Sequence, residues 1–281
     1  MSSLHEVLRQ HAGQRIALLA SGDPLFYGIS QTLLRDLSPE HLVFHPNVSS
    51  VQAAFARLRR PWQQAQFVSL HGRPLATLRA VLQSNRLYAM LTDRENSPTA
   101  IARLLIETGF GESALWVAED LGLPSEQFRH FRADALAATI PPHPSPQGER
   151  ESCFSPLNVV ILETCRGRGV LPEFPGIPDE QFSTGAEPGK GLLSKREVRL
   201  TILSLLAPRA GETGWDVGAG CGGVSVEWAR WNLLGEVHAV ECHPERLEHL
   251  GINRERFGVV SNLHVVPGRA PEALADLPDP H

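Results

Sequence analysis

The sequence predicts an α/β fold organised in two domains. Short apolar runs recur along the 281 residues, and most lead into a Gly- or Pro-containing turn and then into a segment with helical spacing of its apolar residues. This alternation of strand, turn and helix is typical of α/β proteins. The length agrees with about two domains, because a domain usually holds about 100–200 residues.

The composition is that of a soluble globular protein, with 42% hydrophobic and 20% charged residues and a net charge of −5. The Lys and Arg residues are scattered, which argues against a nucleic-acid partner, and no apolar run is long enough to cross a membrane. The polar N-terminus does not resemble a secretory signal, and the cysteines show no C-x-x-C pairing. We therefore expect a cytoplasmic protein without a metal site.

In the first half, we predict strands at residues 14–20, 42–45, 66–70, 86–91 and 114–119. Helical segments follow at residues 29–37, 51–58 and 99–107. This order predicts a largely parallel sheet. A Pro-rich stretch at 141–156 has the composition of an extended insertion, and a strand at 157–163 follows it. Farther on, Ser194 and Glu197 have the spacing of a capping box that opens a helix ending near Leu206.

The clearest chemical signal is the segment GWDVGAGCGGVSVEWA at residues 214–229. An apolar run enters it, a Gly-rich turn follows, and an amphipathic segment leaves it. Gly218, Gly220 and Gly223 satisfy the pattern G-x-G-x-x-G. Glycines allow the backbone to approach a ligand closely, and the N–H groups at the start of the next helix point at the same place.

Two carboxylates indicate which ligand this turn binds. Asp216 lies two residues before Gly218, where it would repel a pyrophosphate but suits a ligand with an amino group and a sulfonium. Glu241 ends the next predicted strand, 236–241, and a carboxylate there can accept hydrogen bonds from both ribose hydroxyls. The pattern favours S-adenosylmethionine. A dinucleotide site and a tight turn without a ligand are the alternatives.

Other polar residues have more than one interpretation. Asp23, in the turn at residues 21–28, either caps the next helix or binds a ligand. His71 and Arg73 either meet a substrate carboxylate or lie in a solvated loop. Cys221 is interpreted as a small packing residue rather than a nucleophile, and no catalytic residue is assigned.

Four motifs in the first half are SGDPLFYG, PNVSSVQ, SLHGRP and LTDRENSP. In this order they resemble the tetrapyrrole (corrin/porphyrin) methylase family, over about residues 14–165. The resemblance implies a cofactor, S-adenosylmethionine, folded between two α/β lobes. It also implies the cofactor-binding residues Gly22, Asp23, Phe26, Ser49, Ser50 and Thr92.

The second half contains SKRE, WDVGAGCGGVSVEWA, VECHPER and NLHVVPGRAPEAL. These motifs resemble the class I methyltransferase domain that is fused to such methylases. Arg269 stands where that family usually has Asp, and an arginine cannot accept a hydrogen bond from the adenine amine. The resemblance implies that the cofactor contacts Ser194, Gly218, Ala219, Gly220, Cys221, Gly222, Glu241 and Ala270.

The resemblances predict the domain organisation. An incomplete tetrapyrrole methylase domain is expected at residues 1–165, with the insertion at 141–156, then a linker at 166–182. An incomplete Rossmann-like class I methyltransferase domain is expected at 183–281. Both are expected to be incomplete because the family has a further strand and a G-x-G-P-G loop before the first motif, and further strands after the last.

The implied activity is methylation of a precorrin tetrapyrrole at C5 and C15, with decarboxylation of the C12 acetate, in cobalamin biosynthesis. The sulfonium of the cofactor carries the reactive methyl group, so the protein mainly supplies proximity and orientation. The expected partners are the precorrin substrate and, in the intact enzyme, further copies of the chain. The alternatives are an inactive remnant or binding module and an NAD-dependent oxidoreductase.

Overall fold

The computed structural model divides the chain into two compact units, residues 1–60 and 61–281. Most of the predicted Pro-rich insertion, residues 141–153, lies outside the residues that the structure describes. Among the described residues, no helix is both long and apolar enough to cross a lipid bilayer. The structure describes residues 2–139, 154–167, 169–185 and 192–281.

The 1–60 unit consists of three short helices and irregular segments. The helices are α1 (Ser2–Gln10), α2 (Ser30–Asp36) and α3 (Ser50–Leu58). Helix α3 forms because Ser49 and Gln52 make a capping box and because Val51, Ala54 and Phe55 share a buried face.

The predicted strands at 14–20 and 42–45 do not form. A strand needs a hydrogen-bonded neighbour, and no second strand lies within residues 2–60. Their apolar side chains are consequently open to solvent: Leu19 is 96% exposed and Val43 is 79% exposed.

The first sheet of the 61–281 unit has five strands in the order β1-β2-β5-β3-β4. Only β1 and β2 pair in parallel; the other three pairings are antiparallel. The prediction of a largely parallel sheet is therefore wrong. The strands are β1 (Ala65–Ser69), β2 (Leu87–Leu91), β3 (Ala114–Glu119), β4 (Gln127–Arg132) and β5 (Asn158–Glu163).

Two features make three of the four pairings in this sheet antiparallel. A loop of only a few residues joins β3 to β4, and a connection that short allows a hairpin but not a parallel crossover. Strand β5 then inserts between β2 and β3 in the opposite direction. The helices packed around this sheet are α4 (Leu78–Val81), α5 (Pro98–Glu107) and α6 (Ala133–Ala138).

The second sheet has three parallel strands in the order β6-β7-β8. Gly214 allows the Trp228 indole to lie directly on β6, because a Cβ at this position would collide with the ring. The strands are β6 (Thr213–Val217), β7 (Glu236–Glu241) and β8 (Leu263–Pro267). The helices are α7 (Arg196–Leu206), α8 (Gly223–Trp231) and α9 (Pro244–Arg256).

The predicted capping box at Ser194 is absent. Helix α7 begins at Arg196 with Lys195 at the N-cap, and no side chain caps it. The Ser194 carbonyl instead accepts a hydrogen bond from Arg199 Nη1 at 2.5 Å, so a buried guanidinium fixes the residue that was expected to cap the helix.

A buried ion pair ties the second sheet region together. Arg199 on α7 and Glu227 on α8 are both 0% exposed, with Arg199 Nε 3.5 Å from Glu227 Oε1. Arg199 also pairs with Asp179 at 2.6 Å and donates to the Ile177 carbonyl. Glu227 accepts from the backbone N–H of Ile177 at 2.6 Å. The segment around residues 176–179 is thereby bound to both helices.

We expect Glu227→Ala to lower the free energy of unfolding by about 3–5 kcal/mol, because it removes one of the two carboxylates that face the buried Arg199 charge and leaves the Ile177 N–H without its acceptor. Urea denaturation of the full chain measures the change. The control is Glu248→Ala on the exposed side of α9, for which we expect a change within about 0.5 kcal/mol. Equal effects of the two substitutions would contradict a buried ion pair.

Candidate functional site

The glycine turn, residues 216–223, connects β6 to α8 at the carboxyl end of the sheet. Gly218, Gly220 and Gly222 have φ values of 80°, 59° and 86°, the left-handed region that glycine adopts without strain. The N–H groups of Gly218 and Ala219 both donate to the Val240 carbonyl, at 2.9 and 3.0 Å. The turn is therefore anchored to the end of the neighbouring strand β7.

Glu241, the last residue of β7, is bonded to this turn. It is 3% exposed, and its carboxylate accepts hydrogen bonds from the N–H of Gly220 at 2.9 Å, Cys242 at 2.7 Å and His243 at 2.9 Å. Burial by itself would raise the pKa of this carboxyl, but the three N–H groups and the nearby Arg246 hold the pKa below its usual value. Glu241 is therefore a charged acceptor at neutral pH.

The pKa of Asp216 is shifted in the opposite direction from that of Glu241. Its Oδ2 accepts from the Ser225 N–H at 3.0 Å and from the Ser225 hydroxyl at 2.6 Å. Burial raises the pKa of Asp216; the bonds from Ser225 oppose the rise, and the charge of Glu241 adds to it. The two strand-end carboxylates thus face the same turn with pKa values moved in opposite directions.

The other predicted residues of the second half lie close to this edge. The Gly268 N–H donates to the Glu241 carbonyl at 2.9 Å, which brings the loop that contains Ala270 against the tip of β7. On the other side, a Cβ at Gly220 would lie 2.9 Å from the Leu192 carbonyl oxygen, and one at Gly223 would lie 2.7 Å from Leu193 Cδ1. The chain that leads into Ser194 therefore passes beside the glycine turn.

A cavity of about 510 Å³ opens beside the turn. Cys221 forms part of its wall and is 2% exposed; burial raises the pKa of the thiol, which agrees with a packing role. Polar side chains of the β7–α9 loop and of α9 face the same space. The lining residues are Thr184, Gly185, Leu192, Cys221, His243, Pro244, Glu245, Arg246 and His249.

Asn253 joins two of the segments that line this cavity, and it was not predicted from the sequence. It is 0% exposed, accepts from the Ser183 N–H at 2.8 Å, and donates to the carbonyls of Ser183 at 2.9 Å and Cys221 at 2.8 Å. One signal was available: an amide lies three residues after Leu250 and four before Phe257, both of them buried. A polar residue on a buried helix face indicates such a bridge.

One group of side chains offers metal-ligand atoms. Oxygen, sulfur and nitrogen atoms of Glu241, Cys242 and His243 lie within 4.8 Å of one another. Both Glu241 oxygens already accept N–H bonds from the backbone, so binding a cation there would compete with these bonds. We assign no metal to this group.

Within the 1–60 unit, two of the predicted motifs come together. A Cβ at Gly22 would lie 3.8 Å from Ser49 Cα, so the turn at 21–28 packs against the start of α3. Asp23 Oδ1 accepts from the Leu25 N–H at 2.9 Å, and α2 begins only at Ser30, so Asp23 does not cap that helix.

The remaining predicted residues of this unit surround the same turn. The Phe26 N–H donates to the Asp23 carbonyl at 3.2 Å. The Ser49 hydroxyl is engaged in its capping box, while Ser50 is the exposed first residue of α3. Their contacts with a cofactor stay predictions.

Thr92, His71 and Arg73 belong to the 61–281 unit. The Thr92 side chain is buried, and its hydroxyl donates to Asn158 Oδ1 at 2.7 Å. His71 Nδ1 lies 3.4 Å from the Thr92 carbonyl oxygen, whereas the exposed Arg73 carbonyl accepts from Asn96 Nδ2 at 2.9 Å. The loops after β1 and β2 are therefore tied together.

Asp93 fastens these two loops. Its carboxylate accepts the N–H of Gly72 at 2.7 Å and that of Asn96 at 2.7 Å. Burial opposes the effect, but these backbone bonds and the Asn96 side chain lower the pKa of Asp93. The motif LTDRENSP thus has a structural role at Asp93 and Asn96, and the role of Thr92 toward a cofactor stays a prediction.

The raised pKa of Asp216 predicts a pH effect on stability. A raised pKa means that the folded state holds the proton more tightly, so ionisation above pH 3.8, the ordinary value, favours unfolding. We expect Asp216→Asn to become progressively more stable than the unsubstituted chain as pH rises from about 3.8 to the raised pKa, and the difference to stay constant above it. Urea denaturation between pH 3 and 7 measures this difference.

Asp134→Asn is the matched control. The hydrogen bond with Arg132 lowers the pKa of Asp134, so ionisation of Asp134 stabilises the folded state as pH rises. We therefore expect Asp134→Asn to become less stable than the unsubstituted chain as pH rises through the acidic range. A difference of the same sign for both variants would contradict the assignment at Asp216.

Comparison with known proteins divides the chain into two parts. Residues 4–137 match the tetrapyrrole (corrin/porphyrin) methylases, and residues 188–281 match the precorrin methyltransferase domain. The chain is 37% identical over 270 residues to a protein from Sinorhizobium sp. named precorrin-6Y C(5,15)-methyltransferase [decarboxylating], across 95% of this chain and 61% of that protein. The chain thus spans about three fifths of this relative's length.

Two shorter relatives bear names with one methylation each. A probable cobalt-precorrin-6B C(15)-methyltransferase (decarboxylating) from Pyrobaculum calidifontis is 45% identical over 108 residues, covering 37% of this chain and 52% of that protein. A cobalt-precorrin-7 C(5)-methyltransferase from Salmonella typhimurium is 33% identical over 123 residues, covering 44% of this chain and 60% of that protein.

Proposed function

We propose that the chain is a member of the family of the precorrin-6Y C(5,15)-methyltransferases and acts as an S-adenosylmethionine-dependent methyltransferase of a precorrin tetrapyrrole in cobalamin biosynthesis. We assign C5 methylation to the tetrapyrrole methylase part. The precorrin methyltransferase part then carries C15 methylation and the decarboxylation of the C12 acetate. The two shorter relatives support this division, since their names separate the C(5) and C(15) reactions.

The observation that carries the proposal is the position of the glycine turn next to two carboxylates, Asp216 at the end of β6 and Glu241 at the end of β7. Glu241 is held ionised at the end of β7, where a ribose would need an acceptor for its hydroxyls. At Gly218, a Cβ would meet no atom within 4 Å, so the turn has open space on its outer side. The residues present therefore fit the adenosyl group that the resemblance implies.

In this site the cofactor supplies a methyl group on a positively charged sulfur. The protein residues bind and orient. Glu241 Oε2, which accepts a single backbone N–H bond, would accept a ribose hydroxyl without a change of protonation, because the pKa of Glu241 is already lowered. Asp216, at the end of β6, would face the positively charged part of the ligand, and that charge would favour ionisation of its carboxyl. Orientation of this kind is what an in-line methyl transfer needs from a protein.

S-adenosylhomocysteine, the product form of the cofactor, provides the direct test. In calorimetric titration of the full chain we expect binding that Glu241→Gln weakens about tenfold or more, because a hydrogen bond to a charged group contributes about 1.5–3 kcal/mol. The exposed Glu248→Gln is the control, and its affinity should not change. Binding of NAD instead would overturn the proposal, and binding of neither ligand would favour the inactive remnant.

Arg269 offers a gain-of-affinity test. It is exposed, one residue before Ala270, where the resembled family usually has an acceptor for the adenine amine. We expect Arg269→Asp to tighten S-adenosylhomocysteine binding several-fold, since one hydrogen bond is worth about 0.5–1.5 kcal/mol. Arg269→Asn should tighten it less, because the amide acceptor is neutral. Weaker binding by both variants would place the adenine elsewhere.

The setting of the enzyme is part of the same proposal. Cys165, Cys221 and Cys242 are free thiols in the described part of the chain, which agrees with a reducing cytoplasm. We further propose that the intact enzyme is a homo-oligomer, and size-exclusion chromatography with light scattering tests this.

A further inference from the structure

We propose that the two sheets of the 61–281 unit are locked together by a buried arginine, Arg230, and a backbone contact at Gly258, so that the two regions act as one rigid body. The first-sheet region is defined as the described residues of 61–165, the second-sheet region as residues 192–281, and the connecting segment as the described residues of 166–185. The functional meaning of this lock rests on the proposed function, because each region then carries part of a methyl-transfer site.

Arg230, near the end of α8, binds all three parts at once. It is 3% exposed. Its Nη1 donates to the carbonyls of Arg79 at 3.2 Å and Phe257 at 3.0 Å, and its Nη2 donates to the Pro172 carbonyl at 3.1 Å. These carbonyls belong to the first-sheet region, the second-sheet region and the connecting segment, in that order. Burial lowers the pKa of Arg230 to about 10, so the guanidinium stays charged at neutral pH.

At Gly258, just after α9, the backbones of the two regions lie close together. Its φ is +72°, and a Cβ there would lie 2.6 Å from both the Ala76 carbonyl oxygen and the Ala80 nitrogen. The backbone of the second-sheet region therefore lies directly against the start of α4 in the first-sheet region. A side chain at residue 258 would have to displace the backbone of residues 76–80.

The connecting segment is bound at both of its ends. On the first-sheet side, the Val170 N–H donates to the Thr108 carbonyl at 2.9 Å, and Glu173 Oε1 accepts from the Ser84 N–H at 2.5 Å. On the second-sheet side, Glu227 accepts the Ile177 N–H at 2.6 Å. The residues predicted to be a linker therefore form hydrogen bonds with both regions.

This lock has a consequence for two sites that share a substrate. Helix α8 begins in the glycine turn and ends next to Arg230, so fixing Arg230 against the first-sheet region also fixes the turn relative to the Thr92 loop. The two regions then keep a constant separation. A tetrapyrrole that is methylated in both places must itself move between the sites, since the regions do not close on each other.

Hydrogen–deuterium exchange on the full chain tests the lock without any ligand. The informative variant is Gly258→Ala, and the matched control is Gly211→Ala in the same region. Gly211 has the same left-handed backbone, φ +85°, but a Cβ there would meet nothing within 4 Å. We expect amides of residues 78–82 and 170–177 to exchange at least tenfold faster in Gly258→Ala and at the unsubstituted rate in Gly211→Ala.

The result that would overturn the lock is equal exchange in the two glycine variants. Arg230→Lys serves as a second probe, because one ammonium cannot reach three carbonyls as the guanidinium does, and it decides the matter if Gly258→Ala does not fold. We expect it to raise exchange in the same two segments, and unchanged protection would overturn the proposal. Since no cofactor enters this measurement, its outcome is independent of the S-adenosylhomocysteine titration.

Discussion

The buried pair of Arg199 and Glu227 is the constraint on which the second-sheet region depends. Taking two charges out of water is costly, and hydrogen-bond partners for the two charged groups offset much of the cost. Helices α7 and α8 alone cannot provide these partners. The connecting segment supplies them: the Ile177 carbonyl and N–H and the Asp179 carboxylate. Satisfying two charges thus forces three parts of the chain into one arrangement.

The same helix transmits this arrangement to the candidate site. Glu227 lies in the second turn of α8, two residues after Ser225, which bonds to Asp216. With α8 held in place, the N–H groups of the glycine turn stay over the ends of β6 and β7 before any ligand arrives. A ligand that meets such a preorganised turn loses less affinity to the ordering of the protein. The same side chains therefore stabilise the fold and hold the candidate site in place.

The parts of the molecule that the sequence predicted are those in which neighbours along the chain determine the structure. Strand 236–241, the glycine turn and helix α3 follow from local periodicity and turn chemistry. The strands at 14–20 and 42–45 failed because a strand depends on a distant partner. The antiparallel position of β5 and the roles of Arg199 and Asn253 likewise depend on residues far away in sequence, which a single sequence does not pair.

Helix α8 shows why a motif can be obvious in sequence while its support is not. Nine residues long, it carries Ser225, Glu227 and Arg230, all buried and all bonded to groups outside the helix. Gly222 and Gly223 indicate where the helix begins, because the turn before it depends on local backbone geometry. The three polar residues resemble ordinary helix-surface residues until their partners at Asp216, Ile177 and Arg79 are known. Each partner contacts a different part of the helix. The position of the first turn, at the glycine turn, therefore depends on contacts along the whole length of α8.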